Sequence, residues 1–188
     1  HAAPRRGFAR RPRREPLPER EMARARELDD RPPRGGRQIV AARDLSIRPT
    51  ADRAKQTIFD ILSTRCDMED ASVLDLFSGS GSLGLEAISR GAATVTFIEK
   101  ARTSVEILEK NIRSLGCEHQ CRVHIADVFW FLKNASHPYD IIFADPPYKL
   151  ETIGELPLRL HDSAAVRNGT WVVMEHSRES SMQFPQDG

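Results

Sequence analysis

The sequence predicts an α/β protein built on a Rossmann-like, doubly wound and mostly parallel sheet. From Thr50 onward, short β-branched or apolar runs alternate with segments of helical periodicity. Strands as apolar as these are typical of a parallel sheet with helices on both faces, and right-handed crossovers give such a sheet its doubly wound order. The predicted strands are Ser72–Phe77, Thr94–Glu99, Arg122–Ile125, Tyr139–Ala144 and Thr170–Glu175.

Helices are predicted before and between these strands. The first begins at Thr50, whose hydroxyl can cap it. Its apolar face comprises Ala54, Ile58, Phe59, Ile61 and Leu62. The later helices are Ser82–Arg90, Ala101–Leu115, Val128–Asn134 and a weaker one within Glu151–Ala164. We expect Trp130 and Phe131 to pack under the sheet and Trp171 to lie in a buried strand.

The amino-terminal segment differs from the rest of the chain in composition and charge. Residues 1–36 are rich in Arg and Pro and nearly without apolar periodicity, so we expect a disordered arm before a single domain at 37–188. Residues 1–37 hold 12 of the 28 basic and 6 of the 27 acidic residues, which gives +6 for residues 1–37 and −5 for residues 38–188. This asymmetry fits contact of the arm with a polyanion, and it fits a solvated tail equally well.

Composition also excludes several classes of protein. The sequence has no run near the ~20 apolar residues that a membrane span requires. Its three cysteines are few and odd in number, which argues against a disulfide framework and for a reducing compartment. We therefore expect a cytoplasmic protein, and we expect a monomer. Cys117 and Cys121 flank His119, but this spacing is not that of a usual zinc site, so no metal is predicted.

A glycine-rich loop follows the first predicted strand and indicates a nucleotide-like cofactor. The strand runs into Ser78-Gly79-Ser80-Gly81-Ser82-Leu83-Gly84, where glycines permit a sharp turn that brings backbone N–H groups to a ligand. Two features favour S-adenosylmethionine over NAD. The Asp75 carboxylate can meet the cationic methionine end, and the loop has no basic residue to neutralise a pyrophosphate. The predicted cofactor contacts here are Asp75, Phe77, Ser78, Gly79 and Gly81, although Phe77 also fits the core.

Acidic residues follow the next two strands. Glu99, with Lys100 after it, ends the second strand about twenty residues beyond the loop, where a carboxylate can bind both ribose hydroxyls. Asp127 follows the third strand and can accept from the adenine amino group, with Val128 against the ring. Each acid could instead cap a helix, and for Asp127 that alternative stays open. Three acids at successive strand ends beside a glycine loop favour a ligand.

The fourth strand ends in a second motif, Asp145-Pro146-Pro147-Tyr148. Two prolines fix the backbone and remove two donors, so nearby carbonyl groups remain acceptors. The Asp145 carboxylate and the Pro146 carbonyl can each accept an N–H of an exocyclic amine, which aims the nitrogen lone pair at a sulfonium methyl group. Tyr148 can stack on the base. The alternative is an ordinary turn after a strand; at this place in the sheet we predict that Asp145, Pro146, Pro147 and Tyr148 form a catalytic loop.

The Asp-Pro-Pro-Tyr motif is similar to the signature of amino-methyltransferases of DNA, RNA and some proteins. Two further segments, DLFSGSGSLGLEAISRGA at 75–92 and RPTADR at 48–53, resemble the RsmD family of bacterial 16S rRNA guanine-N2 methyltransferases. The similarity covers most of 37–176. It implies a class I S-adenosylmethionine-dependent methyltransferase that modifies a guanine of small-subunit ribosomal RNA. It also implies that Arg48, Pro49 and Thr50 lie beside the cofactor and the base. Separately, the guanidinium groups of Arg48 and Arg53 can contact RNA phosphates, and a solvated helix start is the alternative for them.

The sequence departs from the family pattern at three places. Only the six residues 42–47 separate Ala41 from Arg48, where the family has a longer glycine- and basic-rich stretch. Gln56 stands where an acidic residue is common. The resemblance also leads us to expect a closing antiparallel β-hairpin after the last strand, and no such hairpin is seen before Gly188. These places bear on RNA affinity and on the completeness of the sheet.

Other functions stay open at this point. The same catalytic loop serves adenine N6 in RNA or DNA, and a protein-glutamine methylase more often has Asn in place of Asp145. A catalytically silent RNA-binding scaffold is a further alternative, against which the intact Asp75, Glu99 and Asp145 argue. An NAD-dependent dehydrogenase leaves Asp-Pro-Pro-Tyr unexplained. The sequence also leaves open the target nucleotide and whether naked RNA or an assembling small subunit is the substrate.

Overall fold

Five parallel strands form one sheet in the part of the chain that the structure describes. The computed structural model describes residues 49–147, 150–176 and 181–184, with the backbone alone for 49–54 and 151. The strands are β1 Ser72–Leu76, β2 Thr94–Glu99, β3 Cys121–Ile125, β4 Ile141–Ala144 and β5 Trp171–Met174. Their order across the sheet is β3-β2-β1-β4-β5, with every described pairing parallel. The predicted doubly wound sheet is thus confirmed.

Helices connect successive strands. They are α1 Pro49–Ser63, α2 Ser82–Ser89, α3 Arg102–Leu115, α4 Val128–Asn134 and α5 Leu156–His161, with 3₁₀ turns at Glu118–Gln120 and Glu151–Glu155. The predicted segments are confirmed, and their ends move by one or two residues. β1, for example, ends at Leu76 rather than Phe77, because Phe77 has a φ of 57° and leaves the extended conformation.

The strand order creates a crevice at the carboxyl edge of the sheet. After β1 the chain builds outward through β2 and β3, and β4 then returns to the other side of β1. Leu76 at the end of β1 is level with Ile98 on β2 and with Ala144 on β4. The loops that follow these strands therefore meet at one edge, at the topological switch point where open α/β sheets bind ligands.

The core consists of one apolar layer on each face of the sheet. Phe59 and Leu62 of α1 pack with Phe97 and Leu108 on one face. On the other face the main buried side chains are Leu74, Leu76, Ile98, Leu132, Ile142 and Leu156. Gly84 of α2 lets this helix approach β2 closely, because a Cβ atom there would collide with the Phe97 ring.

Three predicted core positions are wrong. Ile61 is 52% exposed, because the buried face of α1 runs through Phe59 and Leu62 and Ile61 points away from it. Trp130 is 61% exposed, since α4 buries Val128 and Leu132 instead, whereas Phe131 packs against the core as expected. Trp171 is 37% exposed because β5 is the edge strand of the described sheet.

Several expectations concern residues that the structure does not describe. The predicted disordered arm, residues 1–36, lies outside the described residues, as do Arg48 and Tyr148. The antiparallel hairpin suggested by the family resemblance is not among the strands of the described ranges. None of the helices in those ranges is long and apolar enough to cross a bilayer.

Candidate active site

The glycine-rich loop turns sharply between β1 and α2. Its backbone has positive φ angles at Phe77, Gly79 and Gly81, of 57°, 54° and 85°. Glycine adopts this conformation readily, whereas for Phe77 it costs about 1–2 kcal/mol. The Ser78 N–H donates to the Ile98 carbonyl at 3.1 Å, which ties the loop to the neighbouring strand. A bulky residue held in this region is typical of a functional site.

Asp75 lies beneath the loop and is 2% exposed. Its Oδ2 accepts the Gly84 N–H at 2.9 Å and so holds the first turn of α2. Burial raises the pKa of this carboxyl to about 7, and the charges of Asp145 and Glu99 add to the effect. A cation nearby would restore the ionised form. The predicted contact of Asp75 with a cationic ligand stays a prediction, since Asp75 supports the cavity rather than lining it.

Glu99 joins the glycine loop to the start of the next helix. Its Oε2 accepts the Gly79 N–H at 2.9 Å and its Oε1 accepts the Ala101 N–H at 2.8 Å. Each carboxylate oxygen has a second lone pair, so these bonds orient the group and leave acceptor capacity for a ligand. The side chain is half-buried at the wall of the cavity, as the expected contact with ribose hydroxyls requires.

A cavity of about 430 Å³ opens between these loops. Its size falls in the range of small-molecule sites, roughly 300–1,000 Å³. Predicted site residues that line it are Phe77, Glu99, Lys100, Asp127, Val128, Asp145, Pro146 and Pro147. The structure therefore brings together residues that the sequence places up to 70 positions apart.

Asp127 both caps a helix and lines the cavity. Its Oδ1 accepts the N–H groups of Phe129 and Trp130 at 2.9 and 3.2 Å, so it does cap α4. The exposed side chain also lines the cavity beside Val128. The cap is therefore confirmed, and the contact with an adenine amino group stays a prediction.

Asp145, Pro146 and Pro147 form the rim opposite the glycine loop. Asp145 is exposed at the cavity, Pro146 is buried, and the Pro147 carbonyl accepts the Leu150 N–H at 2.9 Å to close a turn. Partial removal from water, followed by the charge and hydrogen bonding of Glu175, raises the pKa of Asp145 to about 6. Sequence analysis did not place Glu175 in the site, because its position beside Asp145 depends on the pairing of β5 with β4.

The upstream helix α1 reaches the start of the glycine-loop helix. The structure places Pro49, Thr50 and Arg53 within the first five residues of α1 and describes only their backbone. Lys55, two residues after Arg53, donates from Nζ to Ser82 Oγ at 3.4 Å. This contact spans 27 residues, so no local pattern could predict it.

The residues of this cavity fit S-adenosylmethionine. The Ser78 hydroxyl is buried in the loop without a hydrogen-bond partner in the described chain, as expected of a group that serves a ligand. Carboxyl groups around the cavity suit a cation, while Phe77, Ile98 and Val128 supply apolar contacts for a ring. No group of three or more metal-binding side chains occurs among the described residues.

The fold and this cavity define a class I methyltransferase, the class that takes its methyl group from S-adenosylmethionine. The family described as "Conserved hypothetical protein 95" matches residues 34–187, and the chain belongs to that family. Ribosomal RNA small subunit methyltransferase D of Escherichia coli K12 is 34% identical over 147 residues, which cover 78% of this chain and 73% of that protein. The Buchnera aphidicola protein of the same name is 32% identical over 152 residues, 81% of this chain and 78% of its own length.

Solved structures agree with this assignment. A putative methyltransferase of Escherichia coli, yhhF, superposes with a TM-score of 0.70 at 34% identity and covers 81% of both chains. A hypothetical protein of Thermus thermophilus superposes with a TM-score of 0.67 at 29% identity, over 77% of this chain and 82% of its own. The resemblance that the sequence motifs indicated is thereby confirmed.

Proposed function

We propose that this methyltransferase transfers the methyl group of S-adenosylmethionine to the exocyclic N2 amine of a guanine in small-subunit ribosomal RNA. The observation that carries the proposal is the Asp145-Pro146-Pro147 rim, which faces Glu99 and Asp127 across one cavity. The names of the relatives support small-subunit ribosomal RNA as the substrate. The choice of guanine N2 rests on the family resemblance of the motifs.

The cofactor end of the cavity would hold the donor through its carboxyl groups. Glu99 is oriented by two backbone N–H groups and has lone pairs left for ribose hydroxyls. Asp127 and Val128 would bind the adenine, and the loop from Phe77 to Gly81 would enclose the methionine end. When bound, the sulfonium donor supplies an already activated methyl group.

The catalytic rim would act by positioning. The Asp145 carboxylate and the Pro146 carbonyl accept the two N–H groups of the amine, which points the nitrogen lone pair at the methyl carbon. The nitrogen–carbon bond forms as the carbon–sulfur bond breaks, and the nitrogen then loses a proton to solvent. Orientation of this kind can supply about 7–11 kcal/mol of the barrier reduction. No covalent nucleophile on the protein is required.

The target base must be unpaired or flipped out of its helix to reach the rim. RNA recognition commonly stacks such a base on an aromatic ring and holds the backbone with guanidinium groups. Tyr148 is the proposed stacking residue, and Arg48 and Arg53 are the proposed phosphate contacts. We further infer a cytoplasmic monomer that acts on an assembling small subunit. The sparse and odd set of three cysteines, which is typical of a reducing compartment, supports that location.

The test is transfer of radiolabelled methyl groups to small ribosomal subunits that lack their guanine-N2 methyl groups, and to the naked RNA, followed by nucleoside analysis. Label in N2-methylguanosine supports the proposal, and the better of the two substrates shows which form is recognised. Label in N6-methyladenosine would replace the target. If the protein binds the donor in calorimetry but transfers no label, the proposed substrate is contradicted. If the protein does not bind the donor, the catalytically silent scaffold is favoured. Asp162→Asn, on the exposed surface, is the control variant.

A further inference from the structure

A second cavity lies at the carboxyl-terminal end of α4, outside the catalytic cavity. It has a volume of about 160 Å³ and lies between β2, β3 and the segment that follows α4. We call it the α4 cavity; its lining includes Thr96, Arg122, His124, Ser136, His137 and Tyr139. α4 begins at the catalytic cavity with Asp127 and Val128, and its last residue, Asn134, lines the α4 cavity. A helix of seven residues is about 10 Å long, so an RNA strand of a few nucleotides can reach from one cavity to the other.

Two buried hydroxyl groups form the floor of the α4 cavity. Thr96 on β2 is 6% exposed, Tyr139 just before β4 is 3% exposed, and both line the cavity. Neither hydroxyl forms a hydrogen bond within the ranges that the structure describes. Because buried polar groups are nearly always hydrogen-bonded, two unpaired hydroxyls in one cavity indicate a polar occupant.

The rim of the α4 cavity carries positive charge and N–H donors. Arg122 and His124 lie two residues apart on β3, His137 follows α4, and all three are exposed. None of the ion pairs within the described residues involves these side chains, and no described acidic side chain lines the cavity. The carboxyl end of α4 adds about half a negative charge, which the full charge of Arg122 exceeds. This rim therefore favours an anion, and a guanidinium group fits the oxygens of a phosphate in particular.

We propose that the α4 cavity binds a phosphate group of the RNA substrate, a few nucleotides from the base that is methylated. Arg122 supplies the charge, His124 and His137 donate N–H groups from the rim, and Thr96 and Tyr139 donate their hydroxyls from the floor. The inference rests on the proposed function, since it concerns the RNA on which that activity acts. Phosphate contacts fix the register of a nucleic acid on a protein, so this site would position the strand and take no part in the transfer itself.

The first experiment measures the charge contact through the salt dependence of RNA binding. Naked small-subunit RNA is bound to the protein on filters over a series of salt concentrations. We expect Arg122→Gln to weaken binding by about fivefold or more and to lower the slope of log affinity against log salt by about 0.7–1. Arg113→Gln makes the same change on α3, which packs on the other face of the sheet, and its guanidinium pairs with Glu109. Equal affinities and slopes for the two variants would overturn the proposal.

The second experiment removes the hydroxyls of the floor and keeps the shape of the side chains. Thr96→Val and Tyr139→Phe should each weaken binding of the same RNA by about threefold or more, with the salt slope unchanged, because a neutral donor is lost. Neither variant should lower the melting temperature, since the hydroxyls have no partner in the described chain. The dissociation constant of S-adenosylhomocysteine should stay within about twofold of wild type, because the donor binds in the other cavity. RNA binding as tight as wild type in both variants would overturn the proposal.

The third experiment distinguishes a phosphate of RNA from a free phosphate ion. The imidazole signals of His124 and His137 are followed by NMR while inorganic phosphate is added to the free protein. We expect no saturation below about 1 mM, because RNA brings many further contacts that a free ion lacks. Saturation below that concentration, together with wild-type RNA binding in Arg122→Gln, would assign the cavity to a free ion and overturn the proposal. Failure of the wild type to transfer methyl to any RNA would instead defeat the proposed function, and the RNA-binding comparison would still decide what the α4 cavity holds.

Discussion

The buried carboxyl of Asp75 makes stability depend on pH in a direction opposite to that of a salt-bridged aspartate. Its pKa is raised to about 7, chiefly by burial, although the Gly84 N–H acts to lower it. In the unfolded chain an aspartate titrates near pH 4. The unfolded state therefore releases its proton first, and the free energy of unfolding falls as pH rises from about 4 to about 7. A difference of roughly three pH units corresponds to about 4 kcal/mol.

Asp75→Asn removes this titration and keeps an oxygen that can accept the Gly84 N–H. We expect the free energy of unfolding of the variant, relative to wild type, to rise by about 3 kcal/mol between pH 5 and pH 8. Urea denaturation at the two pH values, followed by circular dichroism, measures this difference. Asp162→Asn, which alters an exposed aspartate, is the matched control. If the free energy of unfolding of Asp75→Asn relative to wild type were the same at both pH values, the reasoning that the buried Asp75 carboxyl keeps its proton up to about neutral pH would be refuted.

Four further outcomes are expected. Asp145→Ala should lower single-turnover methyl transfer by at least about 100-fold with little change in donor affinity measured by calorimetry; full activity with weak donor binding would contradict its role. Glu99→Ala should raise the donor dissociation constant by about tenfold or more, and an unchanged constant would remove Glu99 from the site. Gly84→Ala should destabilise the protein by about 1–3 kcal/mol in urea denaturation, because the added methyl meets the Phe97 ring, and an unaffected midpoint would show that α2 can shift. The protein should release more protons when it binds the sulfonium donor than when it binds S-adenosylhomocysteine, because the sulfonium charge favours the ionised forms of Asp75 and Asp145. Calorimetry at pH 6.5 in buffers of different ionisation enthalpy measures this release, and equal release for the two ligands would contradict the reasoning.

The sheet and the ends of its strands could be predicted because their signals are local. Each strand is a short run rich in β-branched or apolar residues, and the acids Glu99, Asp127 and Asp145 stand at or just beyond a strand end, where parallel strands bring their carboxyl ends to one edge. The cavity therefore gathers Glu99, Asp127 and Asp145 as expected. The position of the cavity could be predicted as well, because open α/β sheets bind ligands at the point where the strand order reverses.

Other features depend on contacts that no local pattern contains. Glu175 becomes part of the site only because β5 pairs with β4, and Lys55 only because α1 lies against the start of α2. Trp130 looked like a core residue by composition, but helix rotation decides its exposure, and α4 turns Val128 and Leu132 inward instead. The left-handed backbone of Phe77 has no sequence signal at all, because large side chains rarely adopt it.

The charges around the cavity are matched to a donor that loses its charge in the reaction. Burial raises the pKa values of both Asp75 and Asp145, and neighbouring carboxyl groups contribute, Asp145 and Glu99 for Asp75 and Glu175 for Asp145. Protons held in this way are ones that a nearby cation would displace. We infer that a bound sulfonium favours the carboxylate of Asp145 and thereby prepares it to accept the amine. After transfer the donor is a neutral thioether, so that attraction is lost and the carboxyl groups regain their protons. The same electrostatics that favour binding of the donor therefore favour release of the product.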